Sequence, residues 1–110
     1  MEFSTESLGD DTVVVRGDGR LNMVSDPPMR EVVTRAIEAG RPRVVVDLSR
    51  VQFMDSSGLG ALISCLKSAR EAGGDLRIVS PSAQVSMVLK LSNVDTILTP
   101  FASVEEAARE

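Results

Sequence analysis

The residues with most chemical potential form one string, Asp55-Ser56-Ser57-Gly58-Leu59-Gly60, a carboxylate and two hydroxyls followed by closely spaced glycines. Behind it, Leu59, Leu62, Ile63, Leu66 and Ala69 fall on one helical face and Lys67, Arg70 and Glu71 on another, so the string opens a helix. Asp55 or Ser56 can cap that helix, but capping requires neither two serines nor two glycines. Each glycine inside the first turns costs up to about 1 kcal/mol relative to alanine. In return, a helix end stripped of side chains admits the close approach of another backbone, a phosphate or a partner surface. Two hydroxyls beside a carboxylate, at the positive end of a helix dipole, suit the acceptance and retention of a phosphoryl group.

Composition removes most other chemistries. The 110 residues include no histidine, tyrosine or tryptophan, a single cysteine and three phenylalanines. Histidine-based triads, histidine-ligated metals and histidine proton shuttles are therefore excluded. Cys65 alone builds neither a thiolate metal cage nor an internal disulfide, a pattern compatible with a reducing compartment. It lies mid-helix and reads as a packed small residue rather than a reactive thiol. Ser56 lacks the Gly-x-Ser-x-Gly elbow of hydrolases, and no Gly-x-x-x-x-Gly-Lys loop is present for nucleotide phosphates. Asp10-Asp11 precedes a strand instead of following one, which argues for a hairpin turn over a phospho-aspartate receiver pocket.

The formal charge of -4 and the scarcity of aromatic rings oppose direct nucleic-acid binding. No apolar run approaches the roughly 20 residues of a membrane span. The first residues, Met1-Glu2-Phe3-Ser4-Thr5-Glu6, have neither the basic nor the apolar region of a signal peptide, so a cytoplasmic protein is expected.

The elements that must position the string alternate. A short strand around Phe3, the turn Gly9-Asp10-Asp11 and the β-branched run Thr12–Arg16 predict a hairpin. Gly17-Asp18-Gly19 loosens the chain before Leu21. At Ser25-Asp26-Pro27-Pro28 a capping side chain, then proline in a first turn, open a helix that places Met29, Val32, Val33, Ala36 and Ile37 on one face and closes at Gly40. Val44-Val45-Val46 predicts the central strand of a parallel sheet, buried on both faces. After Gly73-Gly74 come a strand at Leu76–Val79 and a helix behind Pro81-Ser82 with Val85, Val88 and Leu89 inward. A short strand is expected at Ile97-Leu98, ending at Pro100, and Ser103 with Glu106 forms a capping-box pattern for a last helix. Met23, Met29, Met54 and Met87 read as core filler.

With these elements in place, V-V-V-D-L-S-R-V-Q-F-M-D-S-S-G-L-G over Val44–Gly60 resembles bacterial anti-sigma factor antagonists of the STAS domain family. The helix, glycine pair, strand and capped helix that follow extend the likeness over about Val13–Glu106, including Gly19-Arg20-Leu21. The resemblance implies one α/β domain over residues 1–110, with a mixed, mostly parallel sheet of four to five strands and about four helices mainly on one face.

It also implies a protein–protein switch rather than an enzyme. The unmodified antagonist binds an anti-sigma factor that is also a serine kinase, which frees a sigma factor for transcription. Phosphorylation of the first motif serine, here Ser56, ends the complex until a serine phosphatase restores the hydroxyl. Asp55, Ser57, Gly58 and Leu59 map to the partner surface, Leu59 either contacting the partner or turning inward. Asn22 joins them at a position where the family often carries an acid; its neutral amide can still hydrogen-bond. No cofactor of the chain's own is implied, because ATP comes with the kinase. The alternative role is a STAS subunit of a lipid-transport complex or signalling scaffold that is not phosphorylated.

Overall fold

The computed structural model describes residues 2–109. Its main sheet has the order β1-β2-β4-β6-β7, built from β1 (Phe3–Leu8), β2 (Thr12–Gly17), β4 (Arg43–Asp47), β6 (Asp75–Val79) and β7 (Pro100–Phe101). Only the β1–β2 hairpin is antiparallel, with Phe3 opposite Gly17 and Leu8 opposite Thr12; Gly9, at φ 71°, makes the turn. The other pairings are parallel, so the sheet is mixed and mostly parallel. The valine run Val44–Val46 is the central strand and is buried on both faces, as its unbroken apolar sequence requires.

Alternation along the strands divides two apolar layers. On one face Val13, Val15, Val44, Val46 and Ile78 pack beneath three helices: α1 (Asp26–Glu38), α2 (Ser56–Glu71) and α3 (Ala83–Leu91). These bury Met29, Val33 and Ala36, then Leu59, Leu62, Leu66 and Ala69, then Val85 and Leu89. On the other face Val14, Val45 and Val79 meet Ala107 of the short α4 (Val104–Arg109). Two arginines of the sheet fasten that helix by its C-terminal carbonyls: Arg43 donates to Ala108 O and Arg77 to Ala107 O, each at 2.9 Å. Ser103 accepts from the Glu106 amide, and the Glu106 carboxylate accepts from Ala102 N–H, one residue before the expected partner.

A second, two-stranded parallel sheet joins β3 (Gly19–Leu21) to β5 (Val51–Met54), pairing Leu21 with Met54. It delivers the chain to α2.

Three expectations are corrected. Ser25 flanks α1 but does not cap it with its side chain; its backbone is right-handed helical (φ -85°, ψ -12°) rather than extended. Its Oγ therefore turns back, accepting from Asn22 N–H at 2.7 Å and lying 3.1 Å from Arg20 O. The last strand is Pro100–Phe101, because the amides of Ile97 and Leu98 are both spent on Val94 O in a turn. Pro100 is tolerated because β7 is an edge strand. Met29 and Met54 are fully buried, whereas Met23 is 72% exposed on the loop before α1 and Met87 60% exposed on the outer side of α3.

Candidate functional site

The string Asp55–Gly60 forms the junction of β5 and α2. Asp55 is the N-cap, in an extended conformation, and its Oδ1 accepts from Gly58 N–H at 3.0 Å. Ser56 and Ser57 are consequently the first two helical residues, where main-chain N–H groups have no partner within the helix. Ser56 is exposed and Ser57 half-buried. The 16-residue helix has no acidic residue in its first turn, and Arg70 stands in its last. Its N-terminal end thus presents a hydroxyl in a field that favours negative charge.

The two glycines have different surroundings. Gly58 is buried, and a Cβ there would collide with the main chain of Leu21, whose carbonyl carbon would lie at 2.7 Å. Leu21 O also accepts from Asp55 N–H at 3.2 Å, so β3 lies directly against the turn. Gly60 is exposed, and a Cβ there would meet nothing within 4 Å. Leu59 is only 8% exposed and packs in the core.

Asn22 follows Leu21, and its Oδ1 accepts from the amides of Val24 and Ser25 at 3.0 and 3.3 Å. Its carbonyl side thus shapes the loop before α1. That loop holds Met23 and Val24 with 72% of each exposed. Arg20 lies over the Phe53 ring at 4.4 Å, a cation–π pair across the β3–β5 sheet. The structure thus brings Asp55, Ser56, Ser57 and Gly58 together directly and Asn22 beside them through Leu21.

Two contributors escaped sequence reasoning. One is the Leu21 carbonyl; the other is Gln84 of α3, whose side chain bonds both main-chain groups of Met54. The glycine at 58 signalled a close approach but not its partner, and a glutamine on a helix carries no signal of a bond to a distant strand.

A cleft of about 640 Å³ is lined by Phe3, Arg16, Asp47, Ser49 and Arg50 among others, and by no residue of the motif. Among the described residues no group of three or more acidic or cysteine side chains is placed to hold a metal ion, and no helix is long and apolar enough to cross a membrane.

A mixed, mostly parallel sheet with three helices on one face, carrying an exposed serine directly after the N-cap of the second, defines a small α/β domain. The chain belongs to the STAS domain family, whose sequence model matches residues 4–107. Over 102 residues it is 31% identical to a Thermotoga maritima protein named as a candidate anti-sigma factor antagonist, covering 92% of this chain and 90% of that one. The anti-sigma-B factor antagonist of Staphylococcus epidermidis is 27% identical over 99 residues, or 89% and 92% of the two chains. Among solved structures, the anti-sigma factor antagonist SpoIIAA in its unphosphorylated form superposes with a TM-score of 0.83 at 27% identity, over 96% of this chain and 92% of that one. By homology, the chain is a regulator of the anti-sigma factor antagonist type.

Proposed function

We propose that the unphosphorylated chain binds an anti-sigma factor with serine kinase activity, thereby releasing a sigma factor, and that phosphorylation of Ser56 ends the complex until a serine phosphatase reverses it. The cytoplasm is the compartment in which this exchange runs. The observation that carries the reading is the exposed Ser56 hydroxyl at the first position of a long helix, beside the N-cap Asp55. The existence of solved SpoIIAA structures in both unphosphorylated and phosphorylated forms supports it. Exposed Met23 and Val24 supply apolar area on the loop that follows Leu21, as a protein interface needs. Ser57, Gly58 and Asn22 shape the same surface, while Leu59 supports it from beneath.

Physical chemistry describes the switch. A phosphate adds about -1.5 to -2 charges at pH 7, on a chain whose formal charge is -4. The helix end favours that charge by about 0.3 to 2 kcal/mol, so the domain keeps its fold. Binding is lost at the interface instead. Burying a dianion against a surface fitted to a hydroxyl need cost only about 3 to 4 kcal/mol to weaken a complex some 100- to 1,000-fold.

The test is incubation with ATP and the kinase-type anti-sigma factors of the same cell, followed by mass spectrometric mapping. Phosphate on Ser56, with tight binding by Ser56→Ala and reduced binding by Ser56→Asp, is the expected result. Absence of phosphate from Ser56 with every such kinase, or equal affinities of the two variants, would sink the reading in favour of a STAS subunit without a phosphorylation cycle.

A further inference from the structure

The turn that carries Ser56 is gripped from two elements. From β3, Leu21 O accepts the Asp55 amide. From α3, the Gln84 carboxamide spans the preceding residue: Oε1 accepts from Met54 N–H at 2.8 Å, and Nε2 donates to Met54 O at 3.0 Å. One side-chain amide thus satisfies both main-chain groups of one residue, as a neighbouring strand would. β5 pairs with β3 in a sheet of only two strands, and Gln84 takes the place of a third.

The grip is anchored at both ends. Met54 is fully buried. Gln84 stands in the first turn of α3, which Ser82 caps by accepting from Val85 N–H and which Val85 and Leu89 root in the core. A hydrogen bond from so fixed a helix transmits its geometry instead of following the strand.

We propose that Gln84 is a positioning residue for Ser56. By fixing the peptide groups on both sides of Met54, it holds Asp55 where its carboxylate caps Gly58 and so sets the direction in which the Ser56 hydroxyl leaves the helix end. The consequence for recognition rests on Ser56 being the residue the partner reads; the mechanical coupling does not.

The test uses the full chain carrying Gln84→Met, which keeps side-chain length and helix propensity but removes both bonds. Amide hydrogen exchange is followed by NMR without any partner. The Met54 amide is expected to exchange about tenfold faster or more, and the Asp55 and Gly58 amides, whose acceptors are not Gln84, to accelerate with it. Val15 and Ile78 in the sheet should keep their rates. Acceleration at Met54 alone, at none of the three, or equally throughout the sheet would overturn the proposal. Gln84→Ala should reproduce the pattern; if it loosens the turn and Gln84→Met does not, packing rather than the carboxamide holds Met54 and the proposal fails.

In the functional arm, Gln84→Met should bind the anti-sigma factor about tenfold more weakly; unchanged affinity would remove its role in recognition. A wild-type chain that neither binds such a factor nor takes phosphate on Ser56 would refute the proposed function, while the exchange measurement still decides the coupling.

Discussion

The main chain of Leu21 occupies the space that a side chain at position 58 would need: a Cβ on Gly58 would lie 2.7 Å from the Leu21 carbonyl carbon and 3.0 Å from its Cγ. The same carbonyl receives the Asp55 amide, so the glycine and the strand beside it are one arrangement. Gly58→Ala must therefore move backbone, not only a side chain. We expect a net loss of about 1 to 3 kcal/mol even after the gain in helix propensity. For a domain of this size that lowers Tm by about 4 °C or more. A thermal melt with unchanged or raised Tm would show that β3 yields at no cost.

Gly60 gives the opposite outcome with the same substitution. It is exposed in α2 with nothing near its missing Cβ, so Gly60→Ala should stabilise the fold by about 1 kcal/mol. If the partner lies against this helix end, the added methyl should weaken anti-sigma factor binding by about tenfold or more. Denaturation and titration on one protein sample read both quantities. A variant that is more stable and binds as well as wild type would place Gly60 outside the interface.

Asp55 combines a structural and an electrostatic role, and two substitutions separate them. Asp55→Ala removes the acceptor for Gly58 N–H and should cost about 0.5 to 2 kcal/mol in urea denaturation. Asp55→Asn keeps an oxygen at the cap and should recover most of that loss, since asparagine caps about as well as aspartate. If the two variants are equally destabilised, the carboxylate charge rather than the cap bond holds the turn.

Much of this was legible in the residues because the signals were local. An unbroken valine run marks a doubly buried strand, and apolar residues at helical spacing mark α1, α2 and α3. The Asp55 cap and the need for a close approach at Gly58 or Gly60 were readable too, but the two glycines look identical in sequence. Only the contact with Leu21 distinguishes them. The β3–β5 sheet was not legible, since three- and four-residue strands acquire their identity by pairing across the fold. Ser25 carries a cap residue's chemistry but the wrong ψ. Leu98 is apolar enough for a strand, yet its amide closes a turn on Val94 O. Met23 and Met87 are exposed because one sits in the loop before α1 and the other on the outer side of α3, and residue type alone reveals neither placement.

Cys65 provides the pH dependence. It is buried in α2, and burial pushes its thiol pKa from 9.0 up to about 11, with the Arg30 guanidinium pulling partly back. The neutral thiol is thus favoured in the folded state. Below about pH 9 both states hold the proton and stability is unaffected. From about pH 9 to about pH 11 the unfolded thiol ionises and the folded one does not, so stability falls by about 1.4 kcal/mol per pH unit. Above that window both are ionised and this contribution stops changing. Cys65→Ala removes the titration while leaving every lysine and arginine in place, so the difference between the two unfolding free energies at pH 8, 9, 10 and 11 isolates it. The gap should shift in favour of the alanine form as pH rises; a constant gap would mean that the thiol titrates alike in both states. At pH 8 the native thiol should also resist iodoacetamide on the timescale on which the urea-unfolded chain is fully labelled.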